Sequence, residues 1–186
     1  MPDYNVSGPK GNPIIKRGPL ARVIKTLPGL IKRFGKVSVT ASAPPPIDRR
    51  PLVVYWAKWG VQNEPLIHYA EVRPMPLKTT LPLTTDCSGF ATLCYWRAGA
   101  PDPNGLNYNG SGYTGTFLTR GKQVTKAQAR PGDVVVYGPG TGVHMAVIVE
   151  GGTDPLTVSH GQERGPELVR VSQDGRLPQT FLSFLP

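Results

Sequence analysis

Four short apolar runs in the second half of the chain restrict the fold more than any other feature. Val134-Val135-Val136-Tyr137, then Val143 to Val149, Leu156 to His160 and Leu168 to Ser172 each have strand length. Arg130-Pro131-Gly132-Asp133 leads into the first as a turn, and Gly138-Pro139-Gly140-Thr141-Gly142 folds it back on the second as a hairpin. Together the runs predict an antiparallel meander. Upstream the period changes. Leu52, Trp56 and Trp59 recur at helical spacing until Glu64-Pro65, which predicts a helix that turns these residues to the core. Helices first and strands afterwards place the chain in the α+β class.

A second helix is expected directly after Thr84-Thr85-Asp86. Phe90, Ala91, Cys94, Tyr95 and Ala98 follow Cys87 at three, four, seven, eight and eleven residues, one face of an α-helix, until Gly99-Ala100-Pro101 ends the pattern. Cys87 falls in the first turn, where Thr85 or Asp86 can cap the unpaired N–H groups. The positive end of the helix dipole there favours a thiolate over the ordinary thiol of pKa about 8.5. Cys87 and Cys94 are the only cysteines. A helix sets them about 10 Å apart along its axis, beyond disulfide reach, so both are expected as free thiols. Without a C-x-x-C pair, and with three histidines spread from His68 to His160, the chain offers no zinc set. No metal or other cofactor is expected.

Charge divides the chain. The net charge is +9, yet residues 1–50 hold ten Lys or Arg against only Asp3 and Asp48, so the remainder is close to neutral. The same stretch is rich in Pro and Gly and closes on Pro44-Pro45-Pro46, a stiff spacer. Residues 1–50 are therefore expected as a basic N-terminal arm and linker without a core of its own, and residues 51–186 as the folded domain. Two amphipathic pieces lie within the arm, Leu20 to Leu27 and Leu30 to Lys36, with Pro28-Gly29 separating them. Such pieces suit an anionic membrane surface, a wall polymer, nucleic acid or a groove on a partner protein. The start, Met1-Pro2-Asp3-Tyr4-Asn5, lacks the basic and apolar regions of a secretory signal, and no run reaches membrane-spanning length.

His144 opens an otherwise apolar strand, on the face of Ala146 and Ile148 by alternation, and His160 closes the next. If the face carrying them packs on the Cys87 helix, three elements supply a nucleophile, a base and an orienting group. Cys87 would attack a carbonyl carbon, His144 would move the proton, and His160 would hold the His144 ring. Residues 105–116 form a Gly, Asn and Tyr-rich loop, from which Tyr108 and Tyr113 are candidate cleft residues. His68 reads as structural.

Asp86-Cys87-Ser88-Gly89-Phe90, Arg130-Pro131-Gly132-Asp133-Val134-Val135, His144-Met145-Ala146-Val147-Ile148 and Val158-Ser159-His160-Gly161 resemble, in order and spacing, the motifs of the NlpC family of papain-like cell-wall cysteine peptidases. The resemblance spans roughly residues 51–175. It implies a papain-like fold with the Cys helix packed on the meander, Cys87 as nucleophile, His144 as base and His160 as third polar residue. It also implies cleavage of amide bonds in bacterial peptidoglycan stem peptides, with Asp86 and Ser88 holding the amino end of the substrate. The chain departs from the family where many members carry Tyr-x-Trp-Gly-Gly; here Arg73-Pro74-Met75-Pro76 and the residues to Pro82 stand instead. Residues Ile67 to Gly115 are most similar to domains of bacteriophage lysins and virion proteins. The expectation is thus a phage-associated peptidoglycan hydrolase, in the virion or the host cytoplasm before release. The alternative is a virion or tail-associated structural protein docked to phage proteins through residues 1–46, with nucleic-acid binding a third class.

Overall fold

The computed structural model describes residues 3–7, 13–34, 36, 38–41, 47–78, 80–161 and 165–186. Two compact units divide it, Met1–Ile47 and Asp48–Pro186. In the first, β1 (Asp3–Ser7) lies between β2 (Pro13–Pro19) and β3 (Ser38–Ala41), antiparallel to both, with α1 (Leu20–Phe34) joining β2 to β3. Where the sequence suggested a basic arm and linker, the described residues of this unit form three paired strands and a helix. The prolines of β2 stand at its two ends, where a missing N–H is cheapest. The expectation of two separate helical pieces is corrected, because α1 runs through Pro28. Leu20, Val23, Ile24, Leu27, Leu30, Ile31 and Phe34 keep one helical phase across it in the sequence. Pro44-Pro45-Pro46 lies outside the described residues.

The second unit begins with α2 (Arg50–Gln62), then a short parallel pair, β4 (Ile67–Tyr69) and β5 (Leu83–Thr85), leading into α3 (Cys87–Arg97). After α4 (Thr114–Arg120) come β6 (Lys122–Val124), β7 (Val134–Tyr137), β8 (His144–Glu150), β9 (Leu156–Ser159), β10 (Glu167–Arg170), the single turn α5 (Val171–Asp174) and β11 (Gln179–Ser183). They form a six-stranded antiparallel sheet in the order β10-β9-β8-β7-β11-β6. The expected meander is its first four strands, and the fold is α+β.

One face of the sheet, with Val134, Val136, Met145, Val147, Val149 and Val158, packs on α2 and α3. The other face carries Val135, Tyr137, Ala146 and Ile148 against Ala129, Val171 and Phe181. The helix α2 buries Val53, Ala57 and Gly60 completely, with the expected Trp56 and Trp59 only partly buried against the core. Its small residues are the reason: a Cβ at Gly60 would collide with the Phe90 ring, so glycine lets α2 lie close against α3. Leu52 is left exposed, and Trp56 and Trp59 sit half-buried beneath the Arg97 guanidinium, 4.8 and 4.1 Å from their ring centroids. Arg50, read from sequence as part of the basic arm, is buried in the second unit. It pairs with Asp133 at 2.7 Å and donates to the carbonyls of Pro131, Leu185 and Pro186.

Candidate active site

Cys87 is the first residue of α3, and Asp86 is its cap, with Oδ1 accepting the Gly89 N–H at 2.6 Å and the Ser88 hydroxyl at 2.9 Å. The helix packs on β8, so the sulfur lies within reach of the backbone amides of Met145 and Ser88. Those donors favour the thiolate, but they do not prevail. Burial, then the Asp86 carboxylate, then Glu71 push the thiol up to about 12. The sequence expectation of a lowered pKa is thus reversed: the residue that caps the helix also sets a negative charge beside the sulfur. Cys94 is free, as expected, and its thiol is also raised by burial.

His144 and His160 do not share a face. The register sets Ala146 opposite Ser159 and Val147 opposite Val158, so Ser159 joins the side of Ala146 and His144, while His160 follows Val158. His144 Nε2 lies 2.7 Å from Ser159 Oγ, and its ring stacks on Tyr137, with centroids 5.8 Å apart. Burial pulls this imidazole down to about 4. His160 instead donates from Nε2 to the Thr85 carbonyl at 3.0 Å, between the rings of Tyr69 and Phe90. Its Nδ1 is buried without a hydrogen-bond partner among the described residues. The face that packs on α3 therefore carries His160 and Met145, and His144 leaves the strand on the alternate side. No hydrogen bond joins Cys87 to His144, which stands one residue before the Met145 amide at the sulfur.

Two clefts of about 440 Å³ each adjoin here. One is lined by Cys87, Asp86, Ser88, Arg73, Tyr113 and Gly142, the other by His144, Ser159, Glu167, Asp174 and Arg176; Tyr69, Glu71 and Val143 belong to both. Tyr108 does not line either cleft: its hydroxyl donates to the Ala100 carbonyl at 2.8 Å and its ring packs on the core, so its role is structural. Asp86 and Ser88 reach the Cys87 cleft with a partner already in place, Arg73 Nη2, at 2.7 and 2.9 Å. Tyr69, Glu71, Arg73 and Ser159 are the site residues that sequence reasoning missed. The alternation of β9 carries the signal for Ser159 once its register is known. Among the described residues no group of His, Cys, Asp or Glu is arranged to hold a metal ion.

No protein-family model and no curated protein sequence matches the chain. Solved structures do. The chain is similar to the NlpC/p60 domain of the peptidoglycan hydrolase SagA, with 19% identity and a TM-score of 0.51 over 73% of this chain and 98% of that one. It is similar to the peptidoglycan hydrolase RipB of Mycobacterium tuberculosis at 18% identity and TM-score 0.51, over 89% and 84% of the two chains. RipD of the same organism, described as a non-catalytic NlpC/p60 domain protein adapted to peptidoglycan binding, matches at 19% identity and TM-score 0.51 over 75% and 99%. At these identities the likeness is one of fold, the papain-like NlpC/p60 arrangement of helices on an antiparallel sheet.

Proposed function

We propose that residues 51–186 form a cysteine peptidase or amidase that cleaves amide bonds in bacterial peptidoglycan stem peptides through a thioester. The observation that carries this reading is the Cys87 sulfur within reach of the Met145 amide, one residue along the strand from His144, with the two residues lining adjoining clefts. The acyl part of the substrate would enter the Cys87 cleft. Cys87 Sγ attacks the carbonyl carbon, and the thiol proton passes to His144 Nδ1, because Nε2 is engaged with Ser159. The Cys87 N–H, at the positive end of α3, stabilises the oxyanion. As the C–N bond breaks, His144 returns the proton to the leaving amine, which departs through the adjoining cleft. Water then hydrolyses the thioester with His144 as base. Ser159 orients the base, and His160 fixes the Thr85 carbonyl at the entry to α3.

The phage setting rests on the resemblance of residues 67–115 to lysin and virion domains. In that setting the first unit, with Arg22, Lys25 and Lys32 exposed on α1, docks to phage structural proteins. A second reading, a wall-binding or structural protein without catalysis, is favoured by the neutral state of both Cys87 and His144 and by the missing hydrogen bond between them. Mass spectrometry of purified peptidoglycan fragments incubated with the wild-type chain, Cys87→Ala and a chain lacking residues 1–46 separates the two. Amine-ended products that vanish with Cys87→Ala support the hydrolase. Intact fragments that nevertheless bind the protein support the second reading.

A further inference from the structure

The three tryptophans of the chain meet in one place. Trp56 and Trp59 of α2 stand edge to face with 5.7 Å between ring centroids, and Trp96 near the end of α3 joins them around an open cleft of about 400 Å³. Arg97 is the fourth lining residue. Tyr55, 57% exposed, extends the aromatic row outward from Trp56. Cys87 opens α3, and Trp96 follows about two and a half turns later, roughly 13 Å along the axis and on the opposite side of the helix. The cleft is thus separate from the groove of Cys87 and His144.

Arg97 is held here by rings more than by acceptors. Its guanidinium lies over Trp59 and Trp56, and Nη2 donates to the Lys78 carbonyl at 3.0 Å. Nε is buried without a hydrogen-bond partner, and no carboxylate pairs with the guanidinium among the described residues. The Nη1 donors are left for a ligand. Such a ligand must bring a flat C–H surface for the indoles and an oxygen acceptor for the cation. A pyranose ring with an acetamido group has both. A stable protein partner needs about 800 Å² on each side, far more than four side chains offer. Aliphatic side chains, which would suit a lipid, do not line the cleft.

We infer that this cleft binds N-acetylated pyranose units of a glycan strand, stacked on the indoles, with the acetamido carbonyl accepting from Arg97 Nη1. The inference rests on the proposed function for the identity of the polymer, peptidoglycan, and not for the catalysis. A strand held on the far side of α3 raises the local concentration of its stem peptides around the groove.

All three tryptophans lie here, so the intrinsic fluorescence of the full wild-type chain reads this cleft. Titration with chitotetraose should shift the emission saturably. Cellotetraose, which lacks the acetamido groups, should bind about tenfold more weakly, the worth of a hydrogen bond to a charged group. Arg97→Gln should remove that difference, and Trp96→Ala, with its helical dichroism intact, should weaken both sugars. No shift in wild type, equal affinity for the two tetramers, or affinities that survive both substitutions would overturn the inference. The same shift from sugar-free stem peptides, or from raising the protein concentration alone, would assign the cleft to a peptide or to a second copy and overturn it too. Cleavage of peptidoglycan fragments without any shift would remove the glycan site and leave the peptidase reading standing. A shift with chitotetraose and no cleavage would keep the site and sink the peptidase reading.

Discussion

Alkylation of Cys87 by iodoacetamide should be slow at neutral pH and should keep rising until the solution is strongly alkaline. With the thiol pushed up to about 12 by burial and by Asp86, the thiolate fraction at pH 8 is about 10⁻⁴, some three orders of magnitude below that of an ordinary cysteine. The rate should therefore climb about tenfold per pH unit from pH 7 to roughly pH 11. Asp86→Asn isolates the electrostatic part. Asparagine keeps an oxygen for the Gly89 N–H, and so keeps the cap, while removing the negative charge beside the sulfur and leaving Arg73 uncompensated. Both changes favour the thiolate, so the pKa falls, and each fall of one is about tenfold in rate at neutral pH. Mass spectrometry of the labelled chain reads the modification at Cys87. Cys94, 1% exposed, serves as the internal control, since label there reports unfolding. A wild-type profile that levels off below about pH 9, or an Asp86→Asn chain with intact helical dichroism and no acceleration, would refute the reasoning.

Ser159→Ala should lower kcat for fragment cleavage by about tenfold by freeing the His144 ring, whereas His160→Gln should act mainly on stability; the reverse pattern in kinetics and melting would show that His160 orients the base. The His144 imidazole is held neutral in the fold, down to about 4 against an ordinary 6.5. The unfolded chain therefore binds its proton first as pH falls, so this contribution is full above about pH 6.5 and is lost progressively towards pH 4, on the order of 3 kcal/mol. Urea midpoints at pH 7 and pH 5 should differ less in His144→Gln than in wild type. Arg50→Ala leaves the Asp133 carboxylate buried without its partner and should cost about 3–5 kcal/mol, lowering the melting midpoint by roughly 10 °C or more. Arg50→Met with Asp133→Leu should recover part of that loss, and an Arg50→Ala chain that melts with wild type would show the pair to be dispensable.

Much of this architecture is legible in local pattern. The strands β7 to β10 announce themselves by short apolar runs between Gly and Pro turns, and α3 by its period and its Asp86 cap, because both signals are carried by neighbours in sequence. The strand β11 is less visible: Thr180-Phe181-Leu182 becomes a strand by pairing with β7, a partner more than forty residues away. The first unit was hidden for a related reason. Its prolines and glycines read as spacer until β1 pairs with β2 and β3, and Pro28 reads as a break although α1 runs through it. On α2 the period and the two tryptophans point to the core they pack against, but the fully buried Gly60 carries no such signal, although close packing on Phe90 needs the glycine.

The sequence by itself determined the α+β class, the place of Cys87 in the first turn of a capped helix, and His144 at the head of a strand, since each depends on residues a few positions apart. Tertiary structure decided the rest of the site. The register of β8 on β9 selects Ser159 over His160 as the partner of His144, because a strand offset by one residue turns every side chain to the other face. Burial beside Asp86 decides the protonation of Cys87, because the cost of a charge depends on how much water and counter-charge the fold leaves around it.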